Sequence, residues 1–197
     1  MFLSILGRSI HGSGGANASE QFTFATIFHD AGSGVIKIYP QTSASASSTL
    51  ISRGKFEDFM WQEAGIRVKH YHSDRGVFAS KLFRDDCSNL NQEQTFSGAY
   101  AKHQNSLAER SVQTLFWMAR HMMLHAALRW ATNGADDTAL WPQAIKFSEY
   151  LHNRTPSLGS GCSPLERLTQ GKSDHKDLLR CHVFGAPVYV LDPRLGR

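Results

Sequence analysis

Cysteine is scarce in this chain of 197 residues: Cys87, Cys162 and Cys181 lie far apart, and no CxxC pair occurs. A disulfide framework and a cysteine zinc site are therefore not expected, and a reducing, intracellular setting fits. No apolar run approaches the ~18 residues of a membrane span, so no membrane partner is expected. The apolar start, Met1 to Leu6, is shorter than the ~7–15 residues of a signal-peptide core, and no basic residue precedes it. Charge of one sign is also modest. Twenty-one Lys and Arg stand against 17 Asp and Glu, a net +4 with a pI of about 9.1, which leans towards an anionic partner without requiring one. At 41% hydrophobic and 19% charged residues, the composition excludes a disordered charged tail. No internal repeat is visible. Carboxylates are missing from the opening stretch, where the first is Glu20.

What is present reads as a mixed α/β chain. Met1 to Leu6 looks like the stub of a strand, and the Gly/Ser/Ala/Asn-rich residues 9 to 19 look like a loop. Phe22 to His29 and Val35 to Tyr39 are two strands joined by the turn Asp30-Ala31-Gly32-Ser33-Gly34, a hairpin. A helix follows from about Thr49 to Ala64, with Gly65 as its stop. Arg67 to His72 is a third strand, Ala79 to Leu90 a shorter helix and Thr95 to Ala99 an extended piece. The clearest helix runs from about Asn105 to Trp130, with Leu107, Leu115, Met118, Met122 and Ala126 as its buried stripe. A further helix is expected over Thr138 to Asn153. Ser163-Pro164-Leu165-Glu166 combines a capping box with Pro at the first helical position, and Gly171 is expected to end that helix. Val183 to Leu191 reads as a late strand.

Two carboxylates invite a chemical reading. Asp74 sits where a strand ends, and Gly76 lets the chain turn; an acid so held could bind a divalent metal, or simply form a Ser-Asp-x-Gly turn. Glu109 lies in the first turn of the long helix, where Ser106-Leu107-Ala108-Glu109 also matches a capping box. Taken singly, each favours the structural role.

Taken as a pair they read differently. The phrase Ser73-Asp74-Arg75-Gly76-Val77-Phe78 resembles the SDNGxF stretch of copia-type retrotransposon integrases, and His103-Gln104-Asn105-Ser106-Leu107-Ala108-Glu109-Arg110 resembles their hQNGxAER stretch. The hairpin and the tail Phe184-Gly185-Ala186-Pro187-Val188-Tyr189-Val190-Leu191 are similar to that family as well, so the resemblance covers nearly the whole chain. It implies an RNase H-like mixed five-stranded sheet with flanking helices. Residues 1–155 would form the catalytic core, and 156–197 an extension of helix and strand following it. It also implies an Asp-Asp-Glu triad binding Mg2+ (or Mn2+), with Asp74 as the second acid and Glu109 as the third, both catalytic and metal-binding. DNA is the implied partner, a homodimer or larger assembly the implied state, and the nucleus the implied location.

The chain departs from the family pattern at three places. The first acid should lie on the first strand, but Met1 to Leu6 contains none. The expectation is a first strand cut short, with the chain beginning just past that Asp. The family's Asn after the second acid is Arg75 here, which would oppose a metal ion if it pointed inward. The Gly three residues before the third acid is Ser106, a stiffer choice.

Positive charge gathers near the third acid. Lys102, Arg110, Arg120 and Arg129 stand against Glu109 alone in residues 101–130. Lys102, His103, Gln104, Asn105 and Arg110 are the candidate DNA-binding residues, tracking a phosphate backbone without reading bases. Arg120 and Arg129 are expected to be ordinary solvated side chains. His121 and His125 share helical spacing but lack the Glu of HExxH, and His70 and His72 read as strand residues. Trp117, Trp130 and Trp141 are expected to be core or helix-packing residues rather than base-stacking platforms. The expected function is DNA integration by phosphodiester strand transfer, impaired because the triad is incomplete. The rival is a non-catalytic nucleic-acid-binding or dimerising module. A further expectation follows from a shortened first strand: Phe22 to His29 would become an exposed, aggregation-prone edge.

Overall fold

The computed structural model describes residues 2–13, 21–98 and 106–189, the first of these as backbone alone. Five strands form one sheet in the order β3-β2-β1-β4-β5. β1 (Phe2–Ser13), β2 (Gln21–His29) and β3 (Ile36–Gln41) are antiparallel neighbours, while β4 (His70–Ser73) pairs parallel with β1 and β5 (Glu93–Phe96) parallel with β4. The mixed α/β class is as expected.

β2 is buried on both faces, which is why its sequence is almost continuously apolar. Ala25 and Ile27 point to one side, where they meet Ile36, Ile38, Leu115, Ala144 and Ile145. Phe28 points to the other, where it stacks on Phe56 at a centroid distance of 4.9 Å, in a cluster with Met60, Tyr71, Phe78 and Phe83. Helices α1 (Ala46–Ala64) and α2 (Lys81–Asn89) supply the second cluster. Helices α3 (Ser106–Trp130) and α4 (Trp141–Arg154) supply the first. The ends of α1 are set by local chemistry: the Ser45 hydroxyl accepts from Ser48 N–H, and Gly65 adopts φ 64°. Under α1, Arg53 is 2% exposed yet ion-paired to Glu57 and Asp86, with the Tyr71 hydroxyl donating to the same Glu57 at 2.6 Å.

The opening strand is longer than the stub read from sequence. β1 extends to Ser13 through a register shift between Gly7 and Gly12, because the strongly β-forming β2 supplies a template that local Gly and Ser content cannot override. Residues 14–20 lie outside the described set. With β1 in place, Phe22 to His29 is flanked on both sides, and the expected apolar edge does not exist.

The true edge on that side is β3, and α4 covers it. Asn153 accepts from Ile36 N–H at 2.9 Å and donates to Ile36 C=O at 2.7 Å. Glu149, 4% exposed, accepts from Ile38 N–H at 2.9 Å, and Lys146 donates to Ile38 C=O at 3.0 Å. These side chains stand in for a further strand and blunt the edge.

Other expectations shift. The buried face of α3 is Ala108, Ser111, Leu115, Ala119 and Ala126, so the stripe shares only Leu115 and Ala126 with the one read from sequence. Small residues win because the helix lies close to the sheet. Trp117 is 56% exposed, outside the core, and stacks on the His121 ring one helical turn on. α4 starts at Trp141, after a 3-10 turn over Thr138–Leu140 capped by Asp137. α5 (Pro164–Thr169) has the capping box, ended by Gln170 at φ 55° rather than by Gly171, and Leu168 reaches the core. α6 (Lys176–Leu179) was not foreseen. Described residues 183–189 form no strand: Gly185 turns at φ 79°, and a Cβ there would meet the Ala126 Cβ at 2.6 Å. Close packing of this turn on α3 takes the place of sheet pairing.

Candidate nucleic-acid interface and acidic pair

Asp74 follows directly on β4, and Glu109 lies in the first turn of α3. The Glu109 charge reaches Asp74: the Asp74 carboxyl is pushed above its usual range, first by loss of hydration and then by the Glu109 charge, against a stabilising hydrogen bond from Gly76 N–H. That last contact is the turn chemistry the sequence offered as an alternative. Arg75 is exposed, and among the described residues it makes no ion pair with Asp74. Ser106 is itself the first residue of α3, so it is not the cap that a Ser106–Glu109 box requires.

β1 runs alongside this pair. Phe2 pairs with His72 and Leu3 with Ser73, so β1 runs beside the strand that leads into Asp74. No Asp or Glu occurs anywhere in Phe2–Ser13. Among the described residues, no three His, Cys, Asp or Glu side chains converge as a metal site. Two carboxylates with no third acid on the neighbouring strand are a thin donor set for a two-ion centre. His70 and His72 do not compensate, since both rings are engaged by the Thr95 hydroxyl, at 2.8 and 2.9 Å. His121 bonds to the Trp117 carbonyl, and His125 packs edge-on to Trp130.

Of the candidate DNA-binding residues, Lys102, His103, Gln104 and Asn105 lie outside the described set. Arg110 is exposed on α3 and lines a cavity of about 490 Å³ together with His29, Ser111, His152 and Arg167. The cavity lies at the same end of the sheet as Asp74, because His29 pairs with Phe2 and Phe2 with His72. The two strand spacings between those histidines amount to about 10 Å. His29 bonds to the Ser111 hydroxyl and His152 to the Gly34 carbonyl. Burial holds both imidazoles below the usual histidine range, and Arg167 adds to this at His152. Arg120 and Arg129 are exposed, as expected of solvated side chains, with Arg120 lying over the Trp117 ring. His29, His152 and Arg167 were not singled out from sequence. They sit on three separate elements, and no spacing links them.

Comparison with known proteins agrees with this geometry. The chain matches no family model. It is 28% identical over 146 residues, 73% of its length, to the Retrovirus-related Pol polyprotein from transposon TNT 1-94 of Nicotiana tabacum, of which it spans 10%. Among solved structures, it superposes on the HTLV-2 integrase catalytic core domain in complex with magnesium (trimeric form) with a TM-score of 0.58 and 14% identity, covering 84% of this chain and 92% of that one. It also superposes on a chain of the simian T-cell lymphotropic virus intasome in complex with PP2A regulatory subunit B56 gamma, with a TM-score of 0.63 and 14% identity over 98% of this chain and 57% of that one. No helix among the described residues is long and apolar enough to cross a membrane. The chain thus has the integrase catalytic-core fold, with a transposon Pol polyprotein as a distant homologue.

Proposed function

We propose that this chain is a retrotransposon integrase core that engages DNA in integration and is impaired in strand transfer. One observation carries the reading: the Glu109 charge acts on Asp74 at the end of β4, while β1, the parallel neighbour of β4, has no Asp or Glu from Phe2 to Ser13. The resemblance places the first catalytic acid on that strand. With no carboxylate on that strand in this sequence, the site has less negative charge with which to hold and neutralise divalent metal. Asp74 and Glu109 are the residues proposed to act at the scissile phosphate in an intact relative. Mg2+ is the ion such a relative would use.

What survives the loss is backbone recognition. Arg110 stands one residue from Glu109 on an exposed face of α3, and the phrase before α3, Lys102 to Asn105, adds further donors. Such contacts are electrostatic and weaken steeply with salt. The test is binding of a labelled DNA duplex over a salt series, with Asp74→Asn alongside. Affinity that falls with salt and survives Asp74→Asn supports the proposal. DNA affinity no better than that of a neutral protein at low salt would end it. Assembly as a dimer or larger, and residence in the nucleus, are proposed on the same likeness.

A further inference from the structure

The cavity between α3, α4, α5 and the β2–β3 turn is not part of the acidic pair, and of its lining the integration reading uses Arg110 alone. Its floor and walls are unlike its rim. Ile36, Leu107, Met118 and Pro156 give it an apolar wall, while Arg110 and Arg167 bring two guanidinium groups to it from different helices. Its volume of about 490 Å³ lies in the range of small-ligand sites. No carboxylate lines it among the described residues. Asp30, whose charge acts on His29, is already held by Ser33 through N–H at 2.8 Å and hydroxyl at 2.6 Å. Neither arginine is in an ion pair with a described carboxylate, so the positive charge is uncompensated.

The cavity is also shaped for Arg167. A Cβ at Gly34 would lie 2.8 Å from the Arg167 Nη2, and Gly34 holds φ 79°. The glycine therefore satisfies the turn and leaves the guanidinium its place. Apolar walls beside paired guanidinium groups suit a ligand with an anionic end and a flat, weakly polar body. Arginine favours phosphate because its fork donates two parallel hydrogen bonds.

We infer that this cavity holds one phosphate-bearing nucleotide of a bound nucleic-acid strand, its phosphate between Arg110 and Arg167 and its sugar and base against the apolar wall. The strand that supplies the nucleotide rests on the nucleic-acid reading above; the cavity's taste for a nucleotide does not. His29 and His152, buried against the same space, report on occupancy.

The experiment follows the imidazole NMR signals of His29 and His152 while deoxyadenosine 5′-monophosphate, deoxyadenosine or inorganic phosphate is added. Saturable shifts with the nucleotide at lower concentration than with either fragment are expected, and they are expected to weaken at least tenfold in Arg167→Gln. Arg167 is exposed, so that variant should keep the parent melting temperature. In the DNA salt series, Arg167→Gln should reduce the slope by about one. Equal affinity for phosphate and nucleotide would overturn the nucleotide assignment, and signals unmoved by all three would overturn the site. Nucleotide binding without any DNA binding keeps the cavity and defeats the nucleic-acid function. DNA binding with an unchanged slope in Arg167→Gln does the reverse.

Discussion

Asn153 closes both backbone hydrogen bonds of Ile36, accepting from its N–H at 2.9 Å and donating to its C=O at 2.7 Å across 117 positions of sequence. The edge of the sheet is thereby sealed by a helix side chain. Asn153→Leu keeps the bulk and removes both bonds. It should cost about 1–3 kcal/mol for each Ile36 group left buried and unpaired, read as a lower urea midpoint. A loss under about 0.5 kcal/mol, the size of an ordinary surface substitution, would show that the edge does not depend on this residue. The variant should also aggregate more readily on heating, since a bare edge pairs with other edges.

Stability should fall in mild acid. His29 and His152 are held neutral by burial in the folded chain, while in the unfolded chain they take up protons near the usual 6.5. Below that value the unfolded state binds more protons than the folded one, so unfolding becomes easier as pH drops until the folded pKa values are passed. Above about pH 7.5 these two groups should contribute no slope, a full unit past the ordinary histidine pKa. Melting temperatures measured from pH 8 to 5 should show the decline. Replacing both histidines by glutamine should flatten the part they cause.

The acidic pair is coupled, and one substitution should show it. Glu109→Gln removes the second of the two effects that raise Asp74, leaving loss of hydration as the larger. The Asp74 carboxyl, followed by carbon-detected NMR over a pH series, should titrate lower than in the parent chain while staying above the ordinary aspartate. An unchanged titration would mean that the two acids do not face each other. Ser4→Asp is the complementary change: a third carboxylate, placed on the strand beside β4, should give measurable Mg2+ binding by calorimetry where the parent chain shows little.

The elements legible in sequence were those with strong local signals. β2 and the turn after it, α1 between Ser45 and Gly65, and the capping box of α5 all follow from side-chain pattern and cap chemistry. The elements missed were set by neighbours. β1 continues through glycines because β2 holds it, and the segment at Gly185 turns because it packs against Ala126. The α3 stripe was misplaced since hydrophobicity points to Met118 and Met122, whereas the tight fit against the sheet selects Ala119 and Ser111. The acidic pair was legible because two short phrases carry it. The cavity was not, because Arg110, His152 and Arg167 are brought together only by the fold.

The central claim is that an integrase-like fold is retained while its acidic site is one carboxylate short. Mg2+-dependent joining of a labelled oligonucleotide end to plasmid DNA measures this most directly. The chain should bind the DNA and yield no joined product above background. Efficient joining by the unsubstituted chain, abolished by Asp74→Asn, would contradict the account.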